Sequence, residues 1–559
     1  MSADQWDETV DVLVVGSGAG AMTAALAAAS RYADTLIIEK SDRWGGTSAT
    51  SGGGIWIPNS HLAKAAGAQD SPEEAFTYVR SLAAPNVPDS LIRAYIELAP
   101  EMLAWLETVS PVRYLSIPYT DYHAELPGGK MGFRAHLPAP MDGRPLGDDI
   151  LAMRPVSPAA SLFGRINWNL GEMQPLLLRP KGWTQVLANM LWRYYSDVPQ
   201  RLRSSTDRYL TQGNALVGGL KLALNARKVP LRLNARLVEL IRDNDRVVGA
   251  VVDERGARKR IAARRGVILG AGGFERNREL RAQHLGFGEP HKSGSQVNNT
   301  GDALQAAMAL GAATRNLEHA WWAPVISVPG EERARPSFIE RALPGCIIVD
   351  QNAKRYLNEA ASYHIVGHEM AKHGAKGDPS YIIFDSTFRH KYPMGPLIPL
   401  VPDWMHPRGV REILARADTI EGLAKQIKVR GSVLRHTLEH FSENAARGVD
   451  PDFHRGAAPY DRFYGDPNVQ PNPNLAPIVT PPFYALPIYG GDIGTSGGLV
   501  TDEYARVLDD DNRPIAGLYA IGNTAASAMG GSYPGAGVTI GPAMTFGYAA
   551  ARHATGANT

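Results

Sequence analysis

Six residues near the start, Gly16-Ser17-Gly18-Ala19-Gly20-Ala21, follow the spacing G-x-G-x-x-[G/A]. That spacing suits a dinucleotide. The first glycine allows a tight turn, the second lets the backbone approach a pyrophosphate, and the small last residue permits close packing of helix on strand. The helix that follows then offers unpaired N–H groups to the anion. Glu39 ends the next apolar run, about 20 residues on, where a carboxylate takes ribose hydroxyls. Glycine clusters return far along the chain, at Gly45-Gly46-Thr47-Ser48, Ser51-Gly52-Gly53-Gly54, Gly270-Ala271-Gly272-Gly273 and Gly522-Asn523. One nicotinamide dinucleotide does not need so many separate glycine-rich contacts. FAD, extended and buried along its length, does. Lys40 beside Glu39, Val238 on a later strand, and Gly537-Val538-Thr539-Ile540 near the end complete the candidate cofactor-binding set.

The elements that must position these residues follow from their patterns. Val10-Asp11-Val12-Leu13-Val14-Val15 is a short β-branched run that ends in glycine, the mark of a buried parallel strand. The alanine-rich stretch from 21 to about 32 has high helix propensity, and Thr35-Leu36-Ile37-Ile38-Glu39 is a second strand. Together they make a βαβ unit. Residues 43–58, rich in glycine and hydroxyls, are expected to be a loop lying over a neighbour. Residues from about 72 to 108 read as helical, and 110–150 shows no clear period. Strands are expected over 230–241 and 246–253, joined by a turn at Asp243-Asn244-Asp245, and again at 266–270 and 517–522. Gly537-Val538-Thr539-Ile540-Gly541-Pro542 opens a helix. The expected fold class is α/β. A Rossmann-like FAD-binding domain, a parallel sheet with helices, spans 1–290 and 483–559. An inserted α+β catalytic domain at 291–482 interrupts it; this stretch is richer in Pro, His and Trp and lacks βαβ repetition.

Composition narrows the function classes. The chain has 559 residues, 44% apolar and 20% charged, which is ordinary for a globular protein and long enough to bury large cores. With 58 basic and 56 acidic side chains the net charge is +2, which gives no case for nucleic-acid binding. The single cysteine, Cys346, rules out an intrachain disulfide and a cysteine-rich metal site. Its apolar surroundings, Leu343-Pro344-Gly345-Cys346-Ile347-Ile348, suggest a buried, inert thiol. None of the 15 histidines falls in a tight metal-ligand spacing, so no metal is expected, and they read as surface or ordinary polar residues. Residues 12–30 carry no charge, yet they are rich in Ala and Gly and follow acidic rather than basic residues. A buried strand and helix is expected there rather than a signal or a membrane span, which favours the cytoplasm.

The glycine clusters carry a resemblance. Gly45-Gly46-Thr47-Ser48 with Ser51-Gly52-Gly53, and Gly270-Ala271-Gly272-Gly273-Phe274, resemble the fumarate reductase / 3-ketosteroid dehydrogenase flavoprotein superfamily. Three segments narrow it. In Arg355-Tyr356-Leu357-Asn358-Glu359-Ala360-Ala361-Ser362-Tyr363, Tyr363 stands where fumarate reductases have a proton-donating arginine. The run from Ser532-Tyr533-Pro534-Gly535-Ala536-Gly537 to Ala543-Met544-Thr545-Phe546 is similar to the C-terminal signature of the 3-ketosteroid Δ1-dehydrogenases. Asp121-Tyr122, followed by Pro127-Gly128-Gly129, and Asp492-Ile493-Gly494-Thr495-Ser496-Gly497-Gly498-Leu499 match that family as well. The resemblance covers nearly the whole chain.

It implies FAD, read as non-covalent because no histidine stands in a familiar attachment motif, and a 3-ketosteroid substrate of the 4-ene-3-one type. Tyr363 would take a proton from C2, and Tyr122 would support its ionisation. Tyr533 O–H and Gly537 N–H would hold the C3 oxygen, and flavin N5 would take hydride from C1. An external acceptor such as a quinone would reoxidise the flavin. The chemistry is sound: two donors aimed at a developing enolate oxygen are worth about 3–4 kcal/mol each. A phenol with a pKa near about 10 serves as a base only if its anion is stabilised. The segment 183–210, with Trp183, Trp192 and Tyr194 among leucines and arginines, reads first as a core or dimer helix. The second reading is a peripheral contact with the inner membrane, where sterols dissolve.

Three other functions are weighed. A steroid Δ4-(5α)-dehydrogenase would carry a serine near the C-terminal tyrosine, where this chain has Pro534-Gly535. A fumarate- or urocanate-type reductase would want arginines clamping carboxylates. A non-catalytic flavin-binding sensor would leave the tyrosines without a purpose.

Overall fold

The computed structural model describes residues 6–286 and 292–556, so the expected boundary at 290/291 lies outside the described residues. The first apolar run forms β1 (Glu8–Val15), and α1 (Ala19–Ala29) begins directly after Gly18. Every residue of α1 through Ala28 is buried. The uncharged stretch 12–30 is therefore a core strand and a core helix. β2 (Thr35–Glu39) is buried throughout and pairs parallel with β1, Val12 opposite Thr35.

Residues 43–58 are more ordered than the expected loop. They hold a short helix, α2 (Gly46–Thr50), and the strand Ile55–Trp56. The cause is local: the Ser48 hydroxyl accepts the Ala19 N–H at 3.0 Å, which coils this segment against the start of α1. The helical stretch divides into α3 (Pro72–Leu82) and α4 (Asp89–Val109), interrupted around Pro85 and Pro88, which cannot continue a helix. After α5 (Trp183–Ser196) come β3 (Leu231–Leu233), β4 (Ala235–Asp243), β5 (Arg246–Glu254) and β6 (Ala257–Leu269). The turn at 243–245 is as expected, with Asn244 at φ 50°.

The middle of the chain builds a second sheet from β7 (Ala320–Ile326), β8 (Cys346–Val349), β9 (Ser380–Asp385), β10 (Ala415–Ala417) and β11 (Phe483–Thr495). Its order is Arg335–Pro336, β7, β11, β9, β8, with β10 on β11, and every pairing is antiparallel. One helix, α6 (Tyr363–His373), lies directly on this sheet. Contact is that close because Gly367 has no side chain: a Cβ there would stand 2.4 Å from the Ala323 nitrogen.

The chain then returns to the first sheet with Arg506–Leu508 and β12 (Pro514–Ala520), and ends in α7 (Ile540–Ala554). The completed sheet has eight strands. Five run parallel in the order β12, β6, β1, β2, β3, and the β4–β5–β6 meander extends them. This is the expected α/β class: a parallel-rich sheet with helices beside an α+β region. Helices α1, α4 and α7 share one large core with the tyrosines at 122, 363 and 533.

Candidate active site

The glycines of the first motif sit at the carboxyl end of β1, where parallel sheets receive ligands. Gly16 has φ 103°, and a Cβ on it would lie 2.3 Å from the Gly270 carbonyl oxygen. The first motif and the Gly270–Gly273 cluster thus touch through backbone alone. Gly18, Ala19, Gly20 and Ala21 form the N-terminus of α1, and a Cβ on Gly270 would meet Ala21 at 3.0 Å. Gly45, Gly46, Thr47 and Ser48 fold against that N-terminus through the Ser48–Ala19 bond. Ser51 continues the turn, accepting the Gly53 N–H at 3.0 Å, while Gly52 has open space around it.

Glu39 closes β2, where its carboxylate accepts Ser17 N–H at 3.1 Å and Ser17 O–H at 2.7 Å. Lys40 turns the other way, to Thr300 Oγ1 at 2.6 Å and Asp302 at 3.0 Å. Val238 lies half-buried at a bulge of β4. Ala271 and Gly272 follow β6, and the Gly272 carbonyl accepts Thr524 O–H at 2.8 Å, which brings in Gly522 and Asn523. Val538, Thr539 and Ile540 lead into α7. The structure brings these glycine clusters together into one backbone-lined cradle open to two helix N-termini. A cradle that a single Cβ would fill, with an acid at the end of the second strand, fits FAD.

Four hundred residues of sequence separate the tyrosines at 122 and 533, yet their rings stack at 5.3 Å with 9° between planes. Tyr363 stands edge-on to both, at 5.4 Å from Tyr122 and 5.1 Å from Tyr533. Tyr363 is the first residue of α6, just after the N-cap Ser362. Tyr122 is pinned by its neighbours. Its N–H donates to the Pro534 carbonyl at 2.9 Å, and the Tyr78 hydroxyl donates to the same oxygen at 2.7 Å. Asp121, one residue earlier, accepts from Trp56 Nε1 at 2.7 Å and Arg134 Nη1 at 2.8 Å. Arg134 reaches on to Asp70 at 2.6 Å. This buried ion network holds the 121–122 turn against the 533–535 turn.

Gly537 lies in the turn before α7 with φ 105°, packed on the backbone of Ile55. Its carbonyl accepts the Gly541 N–H at 2.9 Å, and its own N–H has no protein acceptor among the described residues.

All three phenols are buried, and burial disfavours the anion. Burial is the main cause that raises Tyr363 well above the ordinary tyrosine range; Tyr533 adds to the rise, and a hydrogen bond from Tyr122 opposes it. Burial likewise raises Tyr122 well above that range. Tyr533 is pushed up to about 12 by burial, with hydrogen bonds to Tyr363 and Thr539 opposing. The cluster is therefore neutral at rest and can hold or move a proton only when something stabilises a phenolate. Cys346 is buried and its thiol is pushed up to about 11 by burial, as expected of an inert cysteine.

Sequence reasoning missed several neighbours. The Tyr460 ring stands 4.8 Å from Tyr122, Phe338 is 4.8 Å from Tyr363, and Trp321 is 5.4 Å from Tyr533. Trp321 also donates to Asn523 Oδ1 at 3.0 Å, joining the cofactor cradle to the tyrosines. His364 corrects the surface reading of the histidines: it is buried, 5.6 Å from the Tyr533 ring, with Nε2 at 3.0 Å from the Gly531 oxygen. No motif spacing marks these residues, because only folding makes them neighbours.

The chain matches the sequence model of the FAD binding domain family over residues 11–540. It is 39% identical to the 3-oxosteroid 1-dehydrogenase of Mycolicibacterium smegmatis, over 97% of this chain and 96% of that one. It is 36% identical to the 4-oxocyclohex-2-ene-1-carboxylate 5-dehydrogenase of Sinomonas cyclohexanicum, over 97% and 93%. Among solved structures, the 3-ketosteroid Δ1-dehydrogenase of Sterolibacterium denitrificans, in complex with 1,4-androstadiene-3,17-dione, superimposes with a TM-score of 0.94 at 44% identity. That alignment covers 99% of this chain and all of the other. The glycine cradle, the converging tyrosines and these full-length likenesses agree: the chain belongs to the FAD-binding flavoproteins and, within them, to the 3-oxosteroid 1-dehydrogenase family.

Proposed function

We propose that the protein desaturates ring A of a 3-ketosteroid between C1 and C2. The observation that carries this reading is the mutual contact of Tyr122, Tyr363 and Tyr533 in one buried cluster. Tyr363 takes the C2 proton, with Tyr122 donating to its phenolate. Tyr533 O–H and Gly537 N–H hold the C3 oxygen as negative charge grows on it, which makes the C2 hydrogen acidic enough to leave. FAD, when bound in the glycine cradle, would supply the hydride acceptor for C1, with an external acceptor of the quinone class as the final oxidant. The proton left on Tyr363 returns to solvent before the next turnover.

Anaerobic mixing of the flavin-loaded protein with a 4-ene-3-ketosteroid tests this, and bleaching of the flavin band with formation of the 1,4-diene is the expected result. Bleaching by 4-oxocyclohexanecarboxylate but by no steroid would overturn the steroid assignment. Because burial holds Tyr363 far above neutral pH, its ionised fraction rises with pH. The rate of bleaching should climb by up to about tenfold per pH unit from pH 7 until the base is ionised. A rate that is flat or falling over that range would remove tyrosinate from the mechanism.

The steroid's apolarity also bears on where the protein works. No helix among the described residues is long and apolar enough to cross a membrane. The core reading of 183–210 holds for one face, where Met190 and Tyr194 are buried, while Trp192, Tyr195, Val198 and Leu202 are exposed, by 76%, 62%, 55% and 84%. Arg203 stands exposed beside them, in a surface ion pair with Asp148 that an anionic headgroup can replace. Aromatic and aliphatic side chains next to a cation suit the interface of an anionic bilayer, and this surface docks there. In flotation with phosphatidylglycerol vesicles, Trp192→Ser with Leu202→Ser should cut the bound fraction by about tenfold or more. Absence of vesicle binding by the unaltered protein, or dimerisation through this face, would exclude the bilayer.

A further inference from the structure

Arg341 lies in the turn Glu340–Ala342 ahead of β8 and is wholly buried. Its guanidinium donates to main-chain carbonyls alone. Nε reaches Ser337 at 3.2 Å, Nη2 reaches Phe338 at 3.1 Å, and Nη1 reaches Ala361 at 2.6 Å and also Glu359. The Glu359 carboxylate is taken by Arg355 and Arg455, and the Asp461 carboxylate by Asn358 and the Gly456 N–H. Among the described residues no carboxylate comes within ion-pair distance of Arg341. A buried cation without a paired anion is expensive to keep, so its placement carries information.

The carbonyls it holds are telling. Glu359 and Ala361 belong to the segment that delivers Tyr363 to the start of α6. Phe338, held by the same guanidinium, packs its ring edge-on to Tyr363 at 4.8 Å and 67°. One guanidinium fork therefore clamps the chain before Tyr363 and the residue packed against its ring. The charge also has an audience. Tyr460, which the cation favours in its anionic form, packs 4.8 Å from the Tyr122 ring. The ionisable groups facing Tyr363 are Tyr122, Tyr533 and Tyr460. Those facing Arg341 are Tyr460, Glu340, Asp461 and Arg455.

We propose, resting on the assignment of Tyr363 as the base, that Arg341 is a positioning residue of the reaction: it holds both the chain that delivers Tyr363 to α6 and the residue packed edge-on against its ring, so that the base stays beside Tyr122. Arg341→Gln removes the charge and keeps some donors; Arg341→Met removes both; Arg341→Lys keeps the charge but cannot span four carbonyls.

Single-turnover flavin reduction by a 4-ene-3-ketosteroid, measured against pH in the flavin-loaded protein, is the test. The Gln and Met variants should lose about tenfold or more of the rate at pH 7, with the pH profile displaced about one unit or more to the alkaline side. The Lys variant, which loses most of the fork, should be slower in the same direction. A loss of rate that is equal at every pH, with no displacement in the neutral variants, would overturn the proposal. If neither neutral variant folds and binds FAD, the Lys variant decides. A slowed reaction at unchanged melting temperature and flavin content supports the proposal, and an undiminished rate overturns it. Full activity in Tyr363→Phe would instead remove the base assignment. An inactive Tyr363→Phe beside an unaltered Arg341→Gln would remove only the role of Arg341.

Discussion

Tyr363→Phe should lower the rate of flavin reduction by a 3-ketosteroid by about 10²–10⁴-fold, the usual contribution of a positioned general base. The substitution deletes one oxygen and leaves the ring. Its edge-on contacts with Phe338, Tyr122 and Tyr533, at 4.8 Å, 5.4 Å and 5.1 Å, are made by the ring and persist. Melting temperature and FAD content should therefore stay close to those of the unaltered protein, and steroid binding should change little. A Tyr363→Phe variant with normal single-turnover kinetics would end the tyrosinate mechanism. A variant that loses its flavin would show that the hydroxyl serves the fold rather than the reaction.

Gly537→Ala should fail in a different way. At φ 105° the new Cβ would meet the carbonyl carbon, Cα and nitrogen of Ile55 at 2.4, 2.5 and 2.6 Å. All three are backbone atoms of a strand that cannot swing aside. Overpacking of about 1–3 kcal/mol combines with backbone strain of about 1–3 kcal/mol, so a loss of about 2–6 kcal/mol of stability is expected. Displacing the turn also moves the N–H proposed to hold the C3 oxygen, so reduction should slow by about 10²-fold or more in whatever protein still folds. Gly431→Ala, far from the site, is the control: its Cβ would stand 3.5 Å or more from every neighbour, and its melting temperature should scarcely change. Equal melting temperatures for the two variants would contradict the close packing of the 533–539 turn on Ile55.

Local rules made much of the cofactor site legible. Gly16, Gly18 and Ala21 act through tight turns and close approach, which depend on residues a few positions apart. A fixed spacing can therefore announce them, and β1, α1 and β2 lie where their patterns place them. The tyrosines were legible only through family resemblance, since no periodicity distinguishes Tyr122, Tyr363 and Tyr533 from the other tyrosines of the chain. Where local pattern spoke alone it also misled. Residues 43–58 read as a loop because glycine and hydroxyls dominate them, yet the Ser48–Ala19 bond coils part of that segment.

Sequence by itself determined the α/β class and the FAD cofactor. Tertiary structure alone decided who stands beside the reacting groups. Tyr460 against Tyr122, and Trp321 between Asn523 and Tyr533, are groups brought together from distant parts of the chain. It also decided that β11 pairs with β7 and β9, and that Trp192 faces outward. The physical reason is the same in each case. A turn or a helix start is stabilised by bonds within a few residues, so its residues must carry the signal. A ring contact or a buried cation is stabilised by whatever the completed core places around it, and no short stretch of chain contains that information.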